Sequence, residues 1–325
     1  MRAIVQQKFG NPADVLAVEE VPQIEPGSGE VRLRIVLSPI HNHDLWTVRG
    51  EYGFVPELPA RAGTEAVGII DAIGADVHSL EVGQRVAVAG TFGVWAEFVI
   101  ARASGLIPVP DGVPDEMAAQ LVAMPFSAIS LIDSLNLNEG DWLVQNAANG
   151  AVGRLVAQLA SARGINVLGL VRREAGIAEL AAQGINRIVA TDNDDWADQA
   201  REVTGGAPII AAVDSVGGSA SGKMLALLGD GGTLVVFGAM ESSLMKLPSG
   251  PIIFRDLTVR GFWGSTVITK LSAEKRQALF GELNERIASG VLTLPVEAIY
   301  SLDDIAKAVT ANGDAGRAGK VLLRP

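Results

Sequence analysis

The 325-residue sequence predicts an α/β protein of two domains, a β-rich one joined to a doubly wound parallel sheet. Three observations predict it. The first hundred or so residues are Gly-rich and dominated by short alternating or β-branched runs. Beyond Pro108, Pro110 and Pro114, strand and helix patterns alternate to about residue 267. Within that alternation, the segment from Asp141 to Gly153 reads as a buried strand running into a tight glycine turn.

In chain order, strands are expected at 31–36, 66–73, 85–88 and 96–100. Between the first two, Asp44 reads as the cap of a short helix through Leu45 and Trp46. The three prolines mark a hinge, which assigns residues 1–112 and 268–325 to the β-rich domain and 113–267 to the parallel sheet. Leu143 and Val144, then 165–171, 187–190, 209–213 and 233–237, are apolar runs of strand length. Val152, Leu155, Val156, Leu159 and Ala160 fall at helical spacing, and Gly164 ends that helix. Residues 197–203, 221–228 and 272–289 read as further helices, Tyr300 as loop, and 320–323 as a last strand able to return to the first domain.

Composition excludes several classes. Hydrophobic residues make up 48% of the chain, enough for two cores. The net charge of −11 repels a polyphosphate backbone and no basic stripe interrupts it, so nucleic acid is not the expected partner. With no Cys there are neither disulfides nor thiolate metal ligands, which suits a reducing compartment. The first residues lack an apolar export core, and no run approaches the roughly 18 residues of a membrane span. A cytoplasmic protein without a membrane partner is expected.

The chemistry begins at the glycine turn. A turn that admits a pyrophosphate to its backbone N–H groups excludes side chains larger than Gly or Ala from its key positions. Gly150 and Gly153 supply that room, with Ala148 in the first Gly position and Asn149, Ala151 and Val152 completing the cradle. About twenty residues on, an acidic side chain would bind the adenosine ribose of NAD, whereas a 2′-phosphate requires cations. Arg172 and Arg173 stand there and predict NADPH. The parallel sheet is thus read as a Rossmann domain. Gly217 with Gly218, and Phe237-Gly238-Ala239-Met240, follow later strands where the nicotinamide half should pass. Asn42 and Asn149 are candidate amide contacts.

On these residues the chain resembles the zinc-independent medium-chain dehydrogenase/reductase superfamily, in its quinone oxidoreductase and 2-enoyl thioester reductase branches. Three blocks carry the likeness: Gly50 to Pro59, similar to the enoyl reductase segment holding a proton-donating Tyr; Gln145 to Gly153, similar to their phosphate loop; and Ile253 to Trp263, with its Gly-Phe-Trp ending. The resemblance implies that the β-rich domain is GroES-like and catalytic, that the C-terminal tail rejoins it, and that an electrophilic small molecule is reduced. It also implies a homodimer, with the Phe262-Trp263 segment as a sheet edge pairing across a two-fold axis.

Hydride transfer to an electron-poor carbon leaves a negative charge that must be stabilised or protonated. Tyr52 is the candidate acid, since a phenol with an ordinary pKa of about 10 is protonated at neutral pH. The resemblance supports that role and makes Trp263 a pocket wall. His43 is the candidate relay, as an imidazole titrates near 6.5 when unperturbed. The enoyl reductases carry Asn-Pro-x-Asp where this chain has His41-Asn42-His43-Asp44, a departure that leaves the acceptor open among enoyl thioester, enone, alkenal and quinone. Two alternatives stand beside this reading. One is a zinc-type alcohol dehydrogenase using His41, His43 and Glu65, against which two His one residue apart face opposite sides of an extended segment. The other is an NADPH-binding protein without turnover.

Overall fold

The computed structural model describes residues 1–314 and 316–325, and its strands follow in chain order as β1 (Arg2–Gln6), β2 (Leu16–Glu20), β3 (Glu30–Pro39), β4 (Ala60–Arg61), β5 (Glu65–Ile73), β6 (Arg85–Ala89), β7 (Phe98–Arg102) and β8 (Ile107–Pro108). Next come β9 (Trp142–Gln145), β10 (Asn166–Val171), β11 (Ile188–Ala190), β12 (Ile209–Asp214), β13 (Leu228–Val236) and β14 (Thr258–Gly261). The tail adds β15 (Val296–Ser301) and β16 (Lys320–Arg324). The chain divides into two units, Met1–Ala123 with Leu294–Pro325, and Met124–Thr293.

These borders lie beyond the ones expected at 112 and 267, for physical reasons. The backbone N–H groups of Val122 and Ala123 are held by the Glu65 side chain, which ties that stretch to the first unit. The helix Ala273–Ala288 belongs to the second, where Glu282 pairs with Arg163 at 2.7 Å and Lys275 with Asp133 at 2.5 Å.

The first unit holds a sheet in the order β15-β16-β3-β5-β6-β8, with β7 pairing β3, and a smaller one in the order β2-β1-β4. The tail rejoins this unit as antiparallel β16 on β3, Leu322 opposite Pro39. Alternation of inward residues along β3 puts Val31, Leu33 and Ile35 in a core with Ile4, Ile70, Val86 and Trp95. Tyr300 lies in β15 rather than in a loop, on a strand whose half-buried face packs against that core. The strand expected at 96–100 is displaced to β7, because Ala96 and Trp95 turn inward and are fully buried before it starts.

In the second unit, parallel strands are ordered β11-β10-β9-β12-β13-β14. Chain order reverses direction between β9 and β12, the position at which a doubly wound sheet opens a crevice at its carboxyl edge. β9 and β10 are the apolar runs expected of strands covered on both faces, and Val144 and Leu168 are fully buried between helices. No helix among the described residues is long and apolar enough to cross a membrane.

Candidate active site

In the first unit, β3 runs out at Pro39, and Ile40 still donates its N–H to Val321 O on the tail strand. The chain then enters the helix Asn42–Arg49, ended by Gly50 at φ 78°. His41 occupies the N-cap position and Asp44 bonds back to it, Oδ2 accepting the His41 N–H at 2.9 Å. Asp44 is therefore inside the first turn, not the cap itself. Because the segment coils here instead of extending, His41 and His43 do not face opposite sides. Their rings stack with centroids 5.0 Å apart and planes 16° apart, and the Tyr52 ring follows 5.7 Å from that of His43.

Gly63-Thr64-Glu65 meets these rings from β5. Gly63 has φ 89°, and a Cβ there would lie 2.3 Å from the indole of the fully buried Trp95. Only Gly passes that indole, and Trp95 is itself anchored by Nε1 donating to Pro39 O at 3.2 Å. Thr64 and Glu65 are thus delivered to the histidines. His43 Nε2 lies 2.7 Å from Thr64 Oγ1, which donates to Asp44 Oδ1 at 2.6 Å. Glu65 Oε2 lies 2.7 Å from His41 Nε2, while Oε1 accepts the Val122 and Ala123 N–H groups at 2.7 Å each.

Burial dominates the electrostatics. It pushes the Glu65 carboxyl up to about 7 against the pull of its two backbone donors. It holds His41 well below the ordinary imidazole range, reinforced by Lys320 and His43. It also lowers Lys320 to about 8, whose Nζ donates to Ile40 O at 3.3 Å. His41 Nδ1 is buried without a hydrogen-bond partner among the described residues. An unpaired buried N–H costs more than a bare lone pair, so when Glu65 is ionised the proton of neutral His41 sits on Nε2, toward Glu65.

Both Nε2 atoms therefore have partners within the protein, Glu65 for His41 and Thr64 for His43. Among the described residues no group of three or more His, Asp and Glu is arranged to hold a metal ion. The zinc-type arrangement of His41, His43 and Glu65 does not fit this geometry.

The second unit gathers the phosphate-loop residues at the carboxyl edge of its sheet. The helix Ala151–Ala162 starts at Gly150 with no side-chain cap, which leaves its first-turn N–H groups to a ligand. A Cβ on Gly153 would meet Ala147 O at 2.7 Å and Ala148 O at 2.8 Å, so the helix start sits directly on the turn. Gln145 fastens it by donating Nε2 to Gly153 O at 2.7 Å. Ala148 fills the first Gly position by packing its Cβ toward Gly169. Arg172 and Arg173 are exposed just past β10 and form no ion pair among the described residues. Gly217, at φ 80°, is required because a Cβ would lie 2.2 Å from Ser242 O. Phe237 and Gly238 donate their N–H groups to Asp214 O, Ala239 follows, and Met240 is 61% exposed. Asn149 is half-buried in the loop. Trp263 is the N-cap of the helix Gly264–Lys270. Asn42, in the first unit, is exposed and accepts from Asn312 Nδ2 at 3.4 Å.

Sequence reasoning missed the residues that hold these in place. Asp214, fully buried at the end of β12, accepts Asn146 Nδ2 at 2.6 Å and the N–H groups of Val216 and Gly217 at 2.9 and 3.1 Å, and Ser221 Oγ donates to its other oxygen. Asn146 Oδ1 in turn accepts Ser215 N–H at 2.7 Å, joining the loops after β9 and β12. A lone acid closing an apolar run was the available signal. Thr64 and Lys320 gave none, because their partners are remote in sequence.

Comparison with known proteins agrees with both halves. Residues 27–111 match the family described as alcohol dehydrogenase GroES-like domain, and 151–280 the one described as zinc-binding dehydrogenase. The human mitochondrial enoyl-[acyl-carrier-protein] reductase is 31% identical over 318 residues, covering 96% of this chain and 85% of that protein. Among solved structures, mycobacterial Rv1454c complexed with NADPH superposes with TM-score 0.89 at 29% identity, over 100% of both chains. The Escherichia coli quinone oxidoreductase complexed with NADPH gives TM-score 0.89 at 25% identity, again over 100% of both chains.

Proposed function

Given that the chain belongs to the medium-chain dehydrogenase/reductase superfamily, as a member of its quinone and enoyl reductase type, we propose that it uses NADPH to reduce the conjugated C=C bond of a small electrophilic acceptor. The class of 2-enoyl thioesters, enones and alkenals is favoured over quinones. The observation that carries this reading is the Tyr52 ring stacked 5.7 Å from His43, which sets a neutral acid beside a relay.

The unit-two loop fits NADPH. Its uncapped helix start and the close seat of Gly153 suit the pyrophosphate, and the two arginines past β10, without ion-pair partners among the described residues, suit a 2′-phosphate. The chemistry NADPH supplies when bound is hydride donation to an electron-poor carbon. Asn149 to Gly153, with Arg172 and Arg173, bind the phosphates. Gly217 and the stretch from Phe237 to Met240 border the path of the nicotinamide half, and Asn42 adds an amide contact. Trp263 walls the acceptor pocket. Tyr52 donates the proton that the reduced acceptor needs at its α-carbon, and His43 restores the phenol from solvent. The balance is one hydride and one proton added across one double bond. The protein acts as a cytoplasmic homodimer in which the Phe262-Trp263 segment, just past β14, pairs with a second copy.

A steady-state screen with NADPH against 2-enoyl thioesters, 2-alkenals, enones and quinones tests the proposal. Turnover is expected to be highest on a conjugated C=C, and Tyr52→Phe to lower it by about 100-fold, the scale of general acid catalysis. Full activity in that variant overturns the acid role. Tight NADPH binding with no acceptor turned over would favour the non-catalytic reading.

A further inference from the structure

His43 has two ring nitrogens, and the surrounding hydrogen bonds decide which one carries the proton. Asp44 accepts on both oxygens, from the His41 N–H on Oδ2 and from Thr64 on Oδ1, the pattern of a carboxylate with no proton to give. The single hydroxyl proton of Thr64 is spent on Oδ1 at 2.6 Å, so its oxygen has only lone pairs left to offer. His43 Nε2, at 2.7 Å from that oxygen, must therefore be the donor. Asp44 Oδ1 itself lies 3.4 Å from Nε2 and favours the same assignment. Nδ1 is left with a bare lone pair on a ring that retains 22% exposure.

We infer that Thr64 and Asp44 are positioning residues that lock neutral His43 in its Nε2–H tautomer, so that one nitrogen is anchored in the protein and Nδ1 alone exchanges protons with the reacting groups. Nδ1 takes a proton from water, which leaves as hydroxide, and passes it to the Tyr52 phenolate; the imidazole returns to its neutral form with Nε2–H unmoved. Without the lock the proton would divide between the nitrogens, and the fraction carrying it on Nδ1 could not accept another there. His41, stacked on His43 at 5.0 Å, has its own Nε2 directed to Glu65 and does not compete. The inference deepens the proposed reductase reading and rests on it for its kinetic arm only.

The test joins spectroscopy to kinetics. With three His in the chain, two-bond 1H–15N correlation at alkaline pH separates protonated from bare ring nitrogens. The wild-type protein is expected to show His43 protonated at Nε2. Thr64→Val keeps the side-chain shape and is expected to yield mixed tautomers, with kcat on the best acceptor lowered about tenfold and KM for NADPH unchanged. Thr64→Ser is expected to restore both. Protonation at Nδ1 in the wild type, or a Thr64→Val protein with unaltered tautomer or unaltered kcat, overturns the inference. A protein that turns over no acceptor sinks the reductase reading, and the spectra still decide the tautomer.

Discussion

His41 and His43 stack ring on ring, 5.0 Å between centroids, yet send their Nε2 atoms to different partners, Glu65 and Thr64. The pairing of His41 with Glu65 is fully buried, and the two groups are perturbed in opposite senses by the same desolvation. Folded His41 stays neutral where an ordinary histidine takes a proton below 6.5, so this group alone loses stability as pH falls. Folded Glu65 keeps a proton up to about 7 that the unfolded carboxyl releases near 4.5, so this group alone loses stability as pH rises.

Just below 6.5 the folded pair holds one proton, on Glu65, and the unfolded pair one, on His41, so the two slopes offset. Single variants unmask them. Relative to wild type, Glu65→Gln is expected to become less stable as pH drops below about 7, where folded Glu65 takes up a proton ahead of the unfolded carboxyl, and His41→Gln to become less stable as pH rises toward 6.5, where wild type is relieved of the cost of keeping His41 neutral. Denaturant melts across this range check it. Differences from wild type that stay constant with pH would show that neither group is perturbed.

Cofactor selectivity is the next expected outcome. Arg172 and Arg173 are exposed at the end of β10 and have no ion-pair partner among the described residues, so their charge is available to a dianion. Arg172→Asp should raise KM for NADPH and lower it for NADH, shifting the ratio of kcat/KM by about tenfold or more, the worth of a charge-assisted hydrogen bond exchanged for repulsion. An unaltered ratio means that the 2′-phosphate sits elsewhere.

What the sequence disclosed and what it hid divide along the range of the interactions. The parallel sheet was legible because β9, β10, β12 and the second half of β13 carry apolar runs, and the glycine turn because Gly150 and Gly153 lie three residues apart. A return of the tail to the first domain was open to the run at 320–323 and implied by the resemblance, and β16 makes it by pairing with β3. The arrangement of the two His was not legible: alternation assumes an extended segment, whereas the Asp44 bond to the His41 N–H coils it and turns both rings to one side. Nor could local pattern reveal that Gly63 threads Thr64 past Trp95, or that half-buried Lys320 lies near Glu65, since these partners are brought together only by the closed sheet.

The loops after β9 and β12 owe their shape to a single carboxylate. Asp214 is fully buried and takes four donors, from Asn146, Val216, Gly217 and Ser221. Removing it strands all four, and each buried donor left unpaired costs about 1–3 kcal/mol, with partial relaxation keeping the total near 4 kcal/mol. Asp214→Ala is therefore expected to be strongly destabilised. Asp214→Asn keeps an acceptor for the three donors that share Oδ1 and turns an NH2 toward Ser221, whose hydroxyl rotates to accept, so its cost should fall to about 1–2 kcal/mol. Urea unfolding of the two variants checks the order. The same carboxylate fixes Gly217, on the path assigned to the nicotinamide half, so Asp214→Asn should also raise KM for NADPH at temperatures where the protein remains folded. Equal stabilities for the two variants would mean that the four donors find other partners and that the loop is held by packing alone.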